Sequence, residues 1–451
     1  MKKTIITLFT VAAAIVASAQ SRTVCPFPAD GPEAIIIPLS ITSDDCRGMA
    51  LAHSEDIRIA RNNVEGARLQ HGVAKTGFLP NLSGTATAMY NPNNTDMMGM
   101  ELVMKGTYMA GLSLTQPIYA GGRIVAGNNL ARIGRKVSDE QLRLATMQTI
   151  ADADNAYWSY IAVLQKVKMM KAYMTQMDSL YALTQRRMEA GMITRSDLLR
   201  IDARRSEIRY QLQKCENGAN LCRLSLCRLI GVDAETPVVP LDTVIGVEAP
   251  ENLAYDIAAR PEYQLLNLNI DATSQQVKLV RGDYLPTLGL SLGFTHYGNI
   301  KVKGNVETPQ GMMPFTQTYN GNSPMAMLSL QVPLFHWGEG YKKVKKARLD
   351  VENARLELEK NSRLLDLEVR QAISNLVSGY TMIETAEVAL EQARVNREVV
   401  HDRYEVNLAS LTDLLDAESQ WQQSYSNHIE ARAQYRIYQT DYLRATGRLE
   451  R

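Results

Sequence analysis

The side chains that could do chemistry in this chain are sparse, and their spacing assembles no catalytic set. Six histidines are scattered along 451 residues without metal-ligand spacing. There is no phosphate-cradling glycine loop, no nucleophile elbow and no zinc motif, so neither an enzyme nor a resident cofactor is expected. Five cysteines leave at least one unpaired. Cys215, Cys222 and Cys227 fall on one helical stretch and read as buried thiols, whereas Cys25 and Cys46 are the two that an oxidising compartment could join. His336-Trp337 follows Pro333 and reads as packing at a membrane interface. The acidic residues Asp413 and Asp416 lie three apart at a helix start, so their carboxylates share a face; a helix N-terminus also favours acidic residues through its dipole. A net charge of +1 leaves no electrostatic footprint for nucleic acid.

The elements that must position these residues are written twice. Leu112-Ser113-Leu114-Thr115-Gln116-Pro117 returns as Leu328-Ser329-Leu330-Gln331-Val332-Pro333, an offset of 216 residues (328 − 112). The same offset maps Arg187-Met188-Glu189 onto Arg403-Tyr404-Glu405, Ser196-Asp197-Leu198-Leu199 onto Thr412-Asp413-Leu414-Leu415, and Gly231 onto Gly447. Phe78-Leu79-Pro80 returns as Tyr284-Leu285-Pro286 at a shorter offset, so a loop between the matched prolines absorbs the difference. A fixed offset across long stretches marks a structural duplication.

Each copy reads as short helix, strand, loop, strand, long helix, turn, helix. No proline occurs from Gly122 to Thr236, and apolar residues recur at coiled-coil spacing from Ile150 through Tyr157, Leu164 and Met170 to Met177. This predicts a helix from near Arg123 to Arg187, roughly 100 Å long at 1.5 Å per residue. It ends at Ala190-Gly191-Met192, and a return helix capped by Ser196 runs to about Ile230. The second copy predicts helices at about Gly340–Tyr404 and Leu411–Thr446 around a turn at Val406-Asn407-Leu408. Four alternating segments, at about 81–90, 107–117, 287–297 and 325–335, carry one apolar and one small polar face, the pattern of outer-membrane strands. Asn91 to Lys105 and Gly298 to Ser323 read as long loops, and prolines 80, 117, 286 and 333 as points where strand meets helix. Four strands cannot close a barrel, and lipid penalises an open edge, so a chain of this kind must oligomerise to span a membrane.

Lys2-Lys3, an apolar run from Ile5 to Val16 and Ala17-Ser18-Ala19 form a secretory signal peptide with the mature start at Gln20 and no lipid anchor. The chain divides into this peptide (1–19), an N-terminal periplasmic segment (20–43), a first repeat (44–231), a linker that supplies most of an equatorial belt (232–253) and a second repeat (254–451). The fold class is α+β with a membrane barrel. A pore-free periplasmic coiled-coil scaffold is the alternative, and demand for detergent during extraction separates the two.

From about Asp44 to Arg448 the chain resembles the TolC family of trimeric outer-membrane efflux channels. The carriers are the duplication, the Leu-Pro steps at 79–80 and 285–286, Gln116-Pro117-Ile118-Tyr119-Ala120-Gly121-Gly122, Glu189-Ala190-Gly191-Met192-Ile193, and Leu411-Thr412-Asp413-Leu414-Leu415-Asp416-Ala417. The resemblance implies a homotrimer with a twelve-stranded barrel in outer-membrane lipid, a periplasmic α-helical barrel, and docking to a periplasmic adaptor protein and an inner-membrane pump of the RND or ABC type. It serves drug or metal efflux and type I protein secretion alike. It further implies that Asp413 and Asp416 form an acidic ring at the periplasmic entrance, that Asp197 and Tyr404 latch the inner to the outer coiled coil, and that Ala190, Gly191, Met192, Val406, Asn407 and Leu408 are tips touching the adaptor. The chain departs from the pattern at Ala409, where other members place a latch arginine; Arg195 and Arg403 are the nearby substitutes.

Overall fold

The computed structural model describes residues 38–449 except 98–99, 243–244, 252 and 309–310. The expected signal peptide, most of the N-terminal segment and Cys25 lie outside the described residues. The chain opens with a short strand, β1 (Leu39–Ile41), and two helices, α1 (Ser43–His53) and α2 (Glu55–Thr76). Next come β2 (Asn81–Tyr90), β3 (Thr95–Met97), β4 (Met100–Val103) and β5 (Lys105–Ala120). The first helical hairpin is α3 (Arg123–Glu189) and α4 (Arg195–Ile230), followed by β6 (Val238–Pro240) and α5 (Pro261–Gly282). The second half ends with β7 (Thr287–Thr308), β8 (Gly311–Gln331), α6 (Glu339–Glu405) and α7 (Leu411–Ala445).

The sheet runs antiparallel in the order β2, β5, β7, β8, which leaves β2 and β8 with one partner each. Its lower part follows the sequence expectation, except that the strand expected at about 325–335 ends at Gln331. Its upper part corrects it: the residues read as loops continue the ladder. β4 carries on past the end of β5 to pair with β7, β3 pairs with β4, and β7 and β8 run on as 22- and 21-residue strands. The predicted boundary survives as a break in register between Tyr297 and Ile300, where Asn299 adopts φ 62° and its amide donates to the carbonyls of Lys105 and Gly106. Asn, Gly, Thr and Lys weaken the alternation above that break, yet their backbones still find partners across the hairpin. Pro117 is a second correction. It lies inside β5, paired with Gly289, and the ladder slips between Pro117 and Tyr119 to accommodate the missing donor.

Both long helices have 67 residues, about 100 Å each. The predicted stripe is buried at Ile150, Ala153, Tyr157, Tyr160, Met170 and Met177, and Tyr173 and Leu180 join it. Each fully buried side chain of this size contributes ~1.5–3 kcal/mol relative to exposure. The linker expected to form a belt packs together with the N-terminal segment. β1 from the N-terminal segment pairs in parallel with β6 from the linker, and Tyr157 and Tyr160 of α3 donate to the Ile41 and Val238 carbonyls at 3.2 and 3.0 Å. Cys46 is buried in this core with its thiol toward the Ala153 carbonyl, and burial pushes its pKa up to about 12. Cys227 is also buried, Cys215 and Cys222 half-buried.

Candidate periplasmic gate and docking tips

Both hairpins turn by the same device. Gly191 and Asn407 take left-handed φ of 71° and 61°. In the first turn Met192 N–H donates to the Arg187 carbonyl and Gly191 N–H to that of Met188. In the second, Leu408 donates to Arg403 and Asn407 to Tyr404. These paired bonds are the Schellman arrangement, which normally buries the residue after the left-handed one against the last helical turn. Here that last turn offers Arg187 and Arg403, so Met192 and Leu408 stay 76% and 74% exposed. Ala190 and Val406 are exposed beside them. The tips therefore present apolar side chains that their own turns do not cover.

The return helices also start alike. Thr194, not Ser196, caps α4: its hydroxyl accepts from the Asp197 N–H while the Asp197 carboxylate accepts from the Thr194 hydroxyl at 2.8 Å. Ser410 and Asp413 repeat the motif on α7 with a 2.7 Å hydroxyl–carboxylate bond. Asp197 and Asp413 are thus duplicate capping-box residues. The Ser410 hydroxyl and N–H hold the Asp413 carboxyl below its ordinary range. Asp413 and Asp416 are both exposed and project from the first turns of α7, as the spacing predicts.

Within one chain the structure does not bring Asp197 and Tyr404 into a hydrogen bond. Asp197 is engaged by Thr194, and the half of Tyr404 that matters is its ring, buried under the Arg187 guanidinium at 5.4 Å. Arg187 also donates to the Glu405 carbonyl at 3.4 Å, and Arg200 to the Thr412 hydroxyl at 3.0 Å, so the two hairpins are tied by arginines of the first repeat. Ala409 is half-buried, and the side chains of Arg195 and Arg403 are exposed without a hydrogen bond or ion pair. Sequence reading named neither Arg187 nor Arg200 as a tie. Both lie on exposed helix faces in the sequence pattern, and only the pairing of the hairpins gives them partners.

Glu418 was also missed, although the sequence carries its signal. It follows Leu411 and Leu414 at core spacing, a polar residue in a coiled-coil seam. It is 1% exposed; one carboxylate oxygen accepts from Gln176 at 2.6 Å and the other has no partner. Burial raises its pKa against the pull of Arg397, His401 and Gln176. The folded state then keeps this proton to higher pH than the unfolded chain, so the stability it contributes falls as pH rises from the ordinary carboxylate range through the raised value. Glu418→Gln is expected to keep the Gln176 bond and flatten that dependence. Melting curves of both proteins in acidic and neutral buffer check it: the variant should gain on the parent as pH rises, and parallel curves would refute the buried-proton reading.

Residues 47–231 and 257–448 match the outer membrane efflux protein family. The alkaline protease secretion protein AprF of Pseudomonas aeruginosa is 25% identical over 425 residues, 89% of this chain and 82% of the relative. The outer membrane protein TolC of Escherichia coli is 22% identical over 392 residues, covering 83% and 76%. The crystal structure of the Campylobacter jejuni CmeC outer membrane channel superposes with a TM-score of 0.72 at 17% identity, over 90% of this chain and 85% of that one. The halves of the family match coincide with the two strand-and-hairpin repeats, and the chain belongs to the outer membrane efflux proteins, the TolC-type channels of the outer membrane.

Proposed function

We propose that this protein is the exit duct of a tripartite export machine, assembled as a homotrimer and joined at its hairpin tips by a periplasmic adaptor that links it to an inner-membrane pump. The observation that carries the reading is the pair of open edges. β2 and β8 each lack a second partner among the described residues, and an unpaired edge costs several kcal/mol per group in lipid. Three copies place β8 beside the next β2 and give twelve strands, enough for an open lumen. The long helices run on from the same strands and extend that lumen into the periplasm. In this reading Asp413 and Asp416 ring the periplasmic entrance. The Arg187–Tyr404 contact holds the two coiled coils together until the adaptor parts them, and Asp197 serves it by capping the return helix. Similarity to AprF, an alkaline protease secretion protein, favours type I protein secretion as the second reading, with the same duct and a different pump.

The tips supply the test. A photoreactive amino acid at Met192 or Leu408 is expected to capture a periplasmic adaptor in cells, and its pump partner separates drug or metal efflux from protein secretion. Met192→Asp with Leu408→Asp should abolish export while leaving the purified channel folded and conducting, because it charges a contact made only in the assembled machine. Export that persists at parental level in the double variant would remove the tips from the docking surface.

A further inference from the structure

Four helices meet the sheet at one level. α2 and α5 end just before β2 and β7, and α3 and α6 begin just after β5 and β8. Cations collect there. Lys75 and Arg281 sit at the C-terminal ends of α2 and α5, where the helix dipole favours them, and Arg123 is paired with Asp283 at 3.0 Å. The start of α6 is different. Lys342, Lys343, Lys345 and Lys346 occupy its first two turns, the end at which the dipole disfavours positive charge. Glu339 neutralises Lys343, but the ammonium groups of Lys342, Lys345 and Lys346 have no hydrogen bond or ion pair, and these residues are exposed. They share one arc of the helix, opposite the buried Ala347. Helix stability does not account for three unpaired lysines at this end.

The corner before them is apolar. Leu334, Phe335 and Trp337 are 89%, 69% and 87% exposed, and Tyr341 continues the patch into α6. Phe335 and Trp337 pack edge to face at 5.0 Å, so they form one surface rather than isolated side chains. We propose that this corner and the lysines of α6 bind anionic phospholipid headgroups in the periplasmic leaflet, a ligand class that the export function does not itself require. The proposal rests on the outer-membrane placement of the barrel. Aromatic rings at a strand end mark the depth of the headgroups. A cluster of lysines just beyond that depth, on an element leaving the membrane, is the arrangement that attracts an anionic leaflet surface. Apolar continuity with the barrel argues for lipid as the occupant, and the unpaired charges argue for an anionic one.

The full-length protein in nanodiscs of equal phosphatidylglycerol and phosphatidylethanolamine, examined by native mass spectrometry, provides the test. Phosphatidylglycerol should be retained well above its bulk share, with the enrichment falling as salt is raised. The K342Q/K345Q/K346Q variant should lose the preference and the K342R/K345R/K346R variant should keep it. The single variant K345Q and the salt titration of the parent protein keep the question answerable if the triple variant misfolds. Equal enrichment in the glutamine variant overturns the proposal. So does enrichment abolished by inorganic phosphate at the same headgroup concentration, which makes the site one for soluble anions. Loss of the assembled oligomer without any lipid dependence assigns the surface to a second copy of the chain.

Discussion

Asp413→Asn together with Asp416→Asn is expected to remove most of the channel's preference for cations and to weaken block by divalent cations by about tenfold or more, the scale of one unit of electrostatic coupling between close charges. In the proposed trimer six carboxylates face one constriction, and like charges at that density draw cations in. The structure dictates the choice of variant. Asp413 caps α7 through Ser410, so an alanine there unravels the first turn as well as discharging the ring. Asparagine keeps an acceptor for the Ser410 hydroxyl and isolates the charge. Ser410→Ala is the companion control: it loosens the cap and leaves both carboxylates in place. Planar-bilayer recordings under a salt gradient give the reversal potential, and an unchanged reversal potential with unchanged divalent block in the asparagine pair would rule the ring out.

The second large effect lies far from the hairpin tips. Asp154 is 1% exposed and accepts from Arg47 through Nε at 2.6 Å and the terminal guanidinium nitrogen at 2.8 Å, with the Thr440 hydroxyl donating to it at 2.7 Å. One carboxylate thus joins α1, α3 and α7, which belong to both repeats. Asp154→Ala leaves Arg47 with only the exposed Asp44 at 3.1 Å and strands the Thr440 hydroxyl, at a cost of ~3 kcal/mol, the low end for a broken buried pair because the Arg47 side chain is one quarter exposed and keeps that second partner. Replacing both charges, as in Asp154→Leu with Arg47→Met, should cost less than the single change, since the only charge left unpaired is the solvent-exposed Asp44. Hydrogen exchange across 150–161 and 429–440 reads the loss directly. Parental protection in Asp154→Ala would show that the belt does not depend on this strut.

How much of this was legible depended on whether the signal lay within one chain segment. The helical hairpins were, because proline-free stretches with apolar residues at coiled-coil spacing permit little else, and helix ends fell within two residues of expectation at Glu189, Glu405 and Ala445. The tips were legible because Gly191 and Asn407 tolerate the left-handed turn. The capping boxes were half legible: Asp197 and Asp413 sat at the right turn, but Ser196 lay two residues too far along to be the first cap. The upper strands were not, because residues such as Gly304, Asn305 and Gly311 have poor strand preference and are held by cross-strand partners that no single segment reveals. The contacts that Arg187 and Arg200 make between the hairpins depend on how the two hairpins lie side by side, which local pattern does not contain.

The break in register at Tyr297–Ile300 divides the sheet into two zones with different neighbours. Below it every strand has the ~9–11 residues that a tilted bilayer crossing needs. Above it β7 and β8 continue for roughly 30 Å at 3.3 Å per residue, while β2 has already ended and only the short β3–β4 hairpin flanks them. Three copies would therefore raise a crenellated rim, one tall ribbon per protomer with gaps between, rather than a taller closed cylinder. Cargo would leave such a mouth sideways as well as upward, and an antibody or phage approaching from outside would meet the Gly311 ends of the ribbons before it met the pore.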